Sequence, residues 1–169
     1  MTIRPIVLSL AIALAACDGV TFQTSSPSGA PPSDAPAADA WGDMLDAVNE
    51  TRLSGASCGG QAQPPVAPLT WSAPLAQAAQ AHADDLATHD LFSHTGTDGS
   101  SPGDRVAEAG YPWSVVGENI ARYQPTVEEV VEDWLASPEH CRQIMDPAFV
   151  EMGAAERDRY WVQVFAAPL

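Results

Sequence analysis

Apolar residues recur at helical spacing in the part of the chain that follows residue 39. A first amphipathic helix is predicted from about Asp39, its N-cap, to Leu53, with its apolar positions at Trp41, Met44, Leu45 and Val48. Residues 55–68 are predicted to form an irregular loop. A second helix is predicted from Ser72 to about Thr88, because Pro74 suits a helix start. Its apolar face includes Leu75, Ala79, His82 and Leu86.

Three shorter helices are predicted from capping signals. The first opens at Ser101 and is closed by Gly110, since glycine is a common helix terminator. The second follows a capping box over residues 126–129. It turns Val127, Val130, Val131 and Trp134 inward. The third begins at Ser137-Pro138 and continues to Met145.

The end of the chain changes to a period of two. Residues 160–165 alternate and are rich in aromatic and β-branched side chains, which predicts a strand. Residues 151–156 are its expected hairpin partner, with the turn at 157–159, and residues 115–121 are a third candidate strand. Several helices with a small sheet predict an α+β domain built in layers.

The first 39 residues do not fit this globular pattern. Residues 1–16 carry one arginine and then an apolar run too short to span a bilayer, which is typical of a signal peptide. Small residues before Cys17 resemble a bacterial lipobox, so Cys17 is expected to be lipidated; an ordinary secretory peptide cut near Ala16 is the alternative. Residues 17–39 are expected to be a disordered Pro/Ser/Ala-rich tether, and residues 40–169 the domain.

The amino-acid composition excludes two classes of function. The chain of 169 residues has 22 acidic and 7 basic residues, a net charge of -15, and all its basic residues are arginines. Nucleic-acid binding is excluded because no basic face can be assembled. Lysine-dependent Schiff-base and P-loop chemistry is excluded as well.

The cysteines indicate one disulfide. With Cys17 assigned to the lipid, Cys58 and Cys141 remain, and an exported protein meets an oxidising compartment. Closing so long a loop is worth about 4 kcal/mol in the chain-entropy model. The rival interpretation makes Cys141 a nucleophile beside His140, but adjacent helical residues point in different directions.

Taken singly, the four histidines are more often structural than functional. His82 is expected to be a hydrogen-bonded core residue, and His89 lies at a helix end. His94 falls in a loop. His140 is expected to be neutral, because a helix N-terminus disfavours the imidazolium.

Several segments together resemble the bacterial SCP-like extracellular domain. It belongs to the CAP superfamily of cysteine-rich secretory proteins, antigen 5 and pathogenesis-related proteins. The resemblance covers Trp41 to Phe165. It is carried by residues 69–71, 81–85, 92–94, 98–102, Arg105, 109–111, 117–121, Trp134, 137–140, 152–153 and 160–165, with Gly-Glu-Asn-Ile-Ala at 117–121 its most specific part.

The resemblance implies an α-β-α sandwich with a small central antiparallel sheet. It also implies a cleft of two histidines and two glutamates, which holds a divalent cation such as zinc in some members. His94, Glu118 and His140 match three of these residues. The second glutamate falls on Ser137, which is not a carboxylate, and Glu139 is the neighbouring carboxylate that could lean into the cleft. Without the second glutamate, weaker metal binding is expected than in members with the full set.

Two functions stay open for this cleft. His94, Glu118 and His140 can bind a metal with an open position for water, or they can form a hydrogen-bonded network. No catalytic residue is assigned. We expect a monomeric, non-enzymatic protein of the bacterial cell envelope, held to the membrane by its lipid alone, that binds a small apolar ligand, an envelope component or a protein. The alternative is a metal-dependent hydrolase of peptides or esters.

Overall fold

The computed structural model describes residues 40–169, so the predicted signal peptide, the tether and Cys17 lie outside the described residues. Its elements follow the order α1 (Ala40–Ser54), β1 (Ala56–Cys58), β2 (Gln61–Gln63), β3 (Thr70–Trp71), α2 (Ala73–His89), α3 (Pro102–Glu108), β4 (Trp113–Arg122), α4 (Val127–Ala136), α5 (Pro138–Ile144), β5 (Glu151–Arg157) and β6 (Tyr160–Pro168). None of these helices has the length and apolar character needed to span a bilayer.

The central sheet has the strand order β3-β5-β6-β4. Strand β6 pairs antiparallel with both β4 and β5, as the alternating pattern predicts. The β5–β6 turn is formed by Asp158 and Arg159, both with positive φ, as a two-residue hairpin of type I′ requires. The sheet is antiparallel, as expected, except at one edge, where the two-residue strand β3 pairs parallel with β5.

The two faces of the sheet carry separate apolar cores. Along β6, Trp161 and Phe165 point to one face while Val162 and Val164 point to the other, because side chains alternate along a strand. The first core is closed by α1, α4 and α5, and the second by α2 and α3. The α-β-α sandwich is thus confirmed.

Helix α2 lies unusually close to the sheet. A Cβ added to Gly153 of β5 would lie 2.1 Å from the backbone nitrogen of Ala76 and 2.5 Å from the carbonyl carbon of Leu75. Only glycine allows this approach of two backbones. The close contact fixes the helix that leads directly into the loop bearing His94.

Two local predictions are wrong. Residues 55–68 are not wholly irregular, because β1 and β2 form a hairpin whose turn, Gly59-Gly60, has positive φ at both positions. The complete capping box is at Ser101 and Asp104 rather than at residues 126–129. Thr126 accepts a hydrogen bond from the Glu129 backbone, but no reciprocal bond completes a box there.

The predicted disulfide is confirmed. Cys58 of β1 is bonded to Cys141 of α5, with 5.4 Å between their Cα atoms, and both side chains are buried. The bond joins the β1–β2 hairpin to α5, and the hairpin turn also packs there, since a Cβ on Gly59 would lie 2.8 Å from the Pro138 side chain. The disulfide therefore holds the helix that carries His140.

Candidate functional site

Glu118 is the buried centre of the candidate site. It lies in the middle of β4, and only 2 % of its side chain is exposed. Its Oε1 lies 2.8 Å from His94 Nδ1, and its Oε2 accepts a hydrogen bond of 2.7 Å from Arg105. Both oxygens of the carboxylate are therefore held by protein groups.

Arg105 supplies the charge that allows Glu118 to be buried. It lies in α3, and the capping box and Pro102 fix the residue at which this helix begins. Besides Glu118, its guanidinium donates to the carbonyl oxygens of His94 at 3.1 Å and Ser100 at 2.9 Å. Arg105 thus ties the loop of residues 94–100 to strand β4. A buried carboxylate needs such a partner, because an unpaired buried charge is costly.

His94 is the exposed member of the site. Its side chain is 52 % exposed, although its ring is anchored to buried Glu118. An ionised carboxylate only accepts hydrogen bonds, so Nδ1 of His94 is the donor. Nε2, the other ring nitrogen, is left for a ligand or for water. This arrangement, in which a carboxylate orients an imidazole, fixes both the tautomer and the ring direction.

His82 lies behind Glu118 and is fully buried, at 0 % exposure. Its Nε2 donates to the carbonyl oxygen of Ser93 at 2.9 Å and lies 3.7 Å from Glu118 Oε1. The pKa of His82 is lowered, chiefly by burial and also by Arg105, against the opposing charges of Glu118 and Asp85. His82 is therefore the hydrogen-bonded core residue that its place on the apolar face of α2 predicts.

His140 approaches the site from α5. Its pKa is lowered, first by burial and then by the charge of His94, while Glu139 opposes the shift. The direction agrees with the expectation of a neutral ring, although burial and His94 are the causes. Asn119 and Gln143 hold this region to β4: Asn119 donates weakly to the His140 carbonyl at 3.5 Å, and Gln143 donates to the Glu118 carbonyl at 2.9 Å.

A pocket of about 380 Å³ opens beside His140. The aromatic side chains on its wall are Phe92, Tyr123 and Trp134, and the polar side chains besides His140 are Arg122, Gln124, Asp133 and Ser137. Phe92 and Tyr123 are exposed at its rim, whereas Trp134 is buried at its back. The pocket thus places an apolar aromatic wall next to the His140 ring.

The predicted metal ligands do not converge as a zinc centre requires. Within residues 40–169, no three histidine, cysteine or acidic side chains are placed to hold one ion. Glu118 lies behind His94 and is already bound by Arg105, while Glu139 is exposed. Only the two imidazoles remain as ligands, whereas catalytic zinc sites use three protein ligands. These residues therefore do not fit a zinc centre with three protein ligands.

The sequence does not reveal two contacts of the site. The resemblance includes Arg105 but gives it no partner, because its bond to Glu118 depends on how α3 packs against β4. The contribution of Gln143 was not expected at all. An arginine within the resemblance, in the short helix predicted from Ser101, was the available signal, but nothing in the spacing identified its partner.

Because His82 is buried with a lowered pKa, we expect the free energy of unfolding to fall in mild acid. Its folded-state pKa is below the ordinary value of about 6.5, so below that pH the unfolded chain binds more protons. The neutral His82 ring contributes to the free energy of unfolding above this ordinary pKa. That contribution is lost as the pH falls towards the lower pKa of the folded state. His82→Gln, which retains a donor for Ser93, should flatten the unfolding free energy between about pH 7.5 and 5 in urea titrations.

The control for this measurement is Gln77→Ala, an exposed position of the same helix that carries no titrating group. It should preserve the wild-type slope. A His82→Gln profile parallel to that of wild type would contradict the assignment.

Comparison with known proteins agrees with the fold and the segments described above. A sequence model of the cysteine-rich secretory protein family, CAP, matches residues 45–165. Two Bacillus subtilis proteins are similar: YkwD is 34% identical and the membrane protein YlbC 30% identical, each over 100 residues. These matches cover 58% and 59% of the chain but only 39% and 29% of the two relatives.

Solved structures show the same fold. An extracellular protein with an SCP domain from Bacillus anthracis superposes with a TM-score of 0.65 and 24% identity, covering 75% of this chain and 39% of that one. An outer surface protein of Borrelia burgdorferi superposes with a TM-score of 0.59 and 18% identity, covering 76% of this chain and 90% of the other. Since the family model spans most of the chain, this protein belongs to the cysteine-rich secretory protein (CAP) family.

Proposed function

We propose that this protein is an exported binding module that takes a small amphipathic molecule into the pocket beside His140, without chemical turnover. The single observation that carries the proposal is the pocket itself, whose wall combines aromatic rings with a few polar groups. Binding sites for small molecules have this composition. Its volume of about 380 Å³ lies within the range of such sites.

The neighbouring charge network supports binding rather than catalysis. Both carboxylate oxygens of Glu118 are bound, one to His94 and one to Arg105, so Glu118 serves to orient the His94 ring. With Nδ1 bound to Glu118, the half-exposed ring of His94 keeps Nε2 for a ligand or for water. Ser137 lines the pocket, but its side chain forms no capping bond, and no nucleophile–base pair with a histidine is found among the described hydrogen bonds of residues 40–169.

The metal-dependent hydrolase is the alternative, and the half-exposed ring of His94, whose Nδ1 is bound to Glu118, is the observation in its favour. It requires zinc to bind at a site that His94→Ala removes, together with cleavage of a peptide or ester. The matched control is His89→Ala. If native mass spectrometry detects a zinc ion that His94→Ala displaces and His89→Ala does not, and the wild type cleaves a peptide or ester, the non-enzymatic proposal is refuted.

Export and anchoring rest on the lipobox-like residues before Cys17. In a bacterial host, labelling with palmitate should mark the full chain and should be lost in Cys17→Ser. Stable anchoring is expected because a lipidated N-terminal cysteine carries more than one acyl chain. An unlabelled wild-type chain would refute the lipid anchor while leaving the pocket proposal intact.

The binding proposal is tested with a neutral amphipathic probe, 4-phenylbutanamide. At ~0.3 kcal/mol per heavy atom, its expected dissociation constant is roughly millimolar, which NMR titration of the full chain measures. Ser137→Phe should fill the pocket and abolish binding without removing a cap. Ala136→Phe, at the exposed neighbouring position, should bind as wild type does. Equal binding by Ser137→Phe and wild type would reject this pocket.

A further inference from the structure

Arg122 is placed between two aromatic rings at the mouth of the pocket. Its guanidinium carbon lies 4.9 Å from the ring centroid of Phe92 and 4.9 Å from that of Tyr123. The side chain is half-buried and lines the pocket. Stacked in this way, a guanidinium loses much of its freedom but retains hydrogen-bond donors along its planar edge. The rings therefore hold a cation in a fixed orientation.

This cation has no acidic partner within residues 40–169. The arginine ion pairs in that part of the chain belong to Arg105 and Arg157. Arg122 does donate a hydrogen bond to the Tyr160 hydroxyl, a neutral group, and that hydroxyl in turn donates to Asp90 at 2.5 Å. Asp133 accepts from Gln124 at 2.8 Å. Residues 40–169 contain 19 acidic residues against six arginines. An arginine that forms no ion pair is therefore unusual among so many carboxylates.

The backbone at Tyr123 provides a second, independent observation. Tyr123 has φ of 82°, in the left-handed region that favours glycine, although it is a bulky aromatic residue. Its N–H donates to the Arg159 carbonyl at 2.8 Å, which helps to hold this conformation. Strain of this kind often accompanies a functional site. Here it places a 61 % exposed ring against Arg122.

We propose that Arg122 is the specificity-determining residue of the pocket and that the ligand is a small organic carboxylate with an apolar body. The carboxylate bonds to the guanidinium edge, and the apolar body lies against Trp134 and the rim rings. This inference rests on the proposed function, since it names the ligand class for the same pocket.

A carboxylate fits better than the other anions and than a cation. Two parallel hydrogen bonds match its planar oxygens to a guanidinium. A phosphate group carries nearly twice the charge, and Asp133 in the same pocket would repel it more strongly. A cationic ligand would meet Asp133 but would leave Arg122 opposed to it. Since the domain is strongly acidic, attraction for an anion must come from this local cation.

The test compares 4-phenylbutyrate with 4-phenylbutanamide, which differ only in the charged group. Both are titrated by NMR into the full chain at low salt. We expect the carboxylate to bind about tenfold more tightly than the amide, with a preference that falls as salt is raised. Arg122→Gln should abolish the preference and leave the amide's affinity within about twofold. Arg142→Gln, an exposed arginine of α5 outside the pocket, should retain it.

The outcomes separate this inference from the proposed function. If both probes bind wild type equally, or if Arg122→Gln retains the preference, the role of Arg122 is overturned while the pocket remains a binding site. If neither probe binds, both proposals fail. Arg122→Lys is a second variant that keeps the test decisive if the glutamine variant misfolds. It retains the positive charge but not the planar guanidinium, so its preference for the carboxylate over the amide should be reduced. A preference as large as that of wild type would overturn the bidentate geometry.

Discussion

Arg105→Met should destabilise the protein by about 3–5 kcal/mol, because it leaves Glu118 buried without its compensating charge. The substitution also removes the donors to the His94 and Ser100 carbonyls, so the loop that carries His94 loses its attachment to α3. Urea unfolding of the full chain measures the loss.

The double variant Arg105→Met/Glu118→Leu separates the pair from the packing of its members. Removing both charges should recover a large part of the lost stability, since the destabilising species is the unpaired carboxylate. Arg157→Met is the matched control: its ion pairs are exposed, and it should change stability by less than about 1 kcal/mol. An Arg105→Met variant as stable as this control would show that Glu118 does not depend on Arg105.

Loss of the disulfide should cost about 4 kcal/mol, because the bond closes a loop with a sequence separation of 83 residues. Cys58→Ala/Cys141→Ala is the variant, and its unfolding free energy is compared with that of the oxidised wild type. The bond anchors α5, so we also expect the pocket beside His140 to bind the amide probe more weakly in this variant.

Reduction of the wild-type protein provides the control for the substitutions. Reduced wild type and the double alanine variant should unfold at nearly the same denaturant concentration. Thiol titration of freshly exported wild type should find neither Cys58 nor Cys141 free. Two reactive thiols, or a loss below about 1 kcal/mol, would contradict a structural role for the bond.

The sequence predicted the main elements of the fold because their periodicities are strong. The apolar spacing of α1 and α2 and the alternation in β6 identify them without tertiary information. Strand β3 has only two residues and exists because β5 lies beside it, so no local pattern could reveal it. The β1–β2 hairpin lacks apolar alternation, although its Gly-Gly turn was a usable signal.

The candidate site was predicted in part. The resemblance paired His94 with Glu118, and the structure brings them to 2.8 Å. It did not identify Arg105, whose partner is set by the packing of α3 on β4. The aromatic setting of Arg122 was also unpredictable, because Phe92 lies in a loop and Tyr123 at a strand end. Residues that meet through tertiary packing leave no fixed spacing in the chain.

The most direct test of the central claim is chemical-shift mapping of 4-phenylbutanamide on the isotope-labelled full chain. The account predicts that the largest shifts lie at Ile120, Tyr123 and the Trp134 indole, which line the pocket beside His140. A second groove, between α1 and α4 and bordered by Leu135, is the internal control and should not respond. Shifts confined to that groove, or none at all, would contradict the pocket as the functional site.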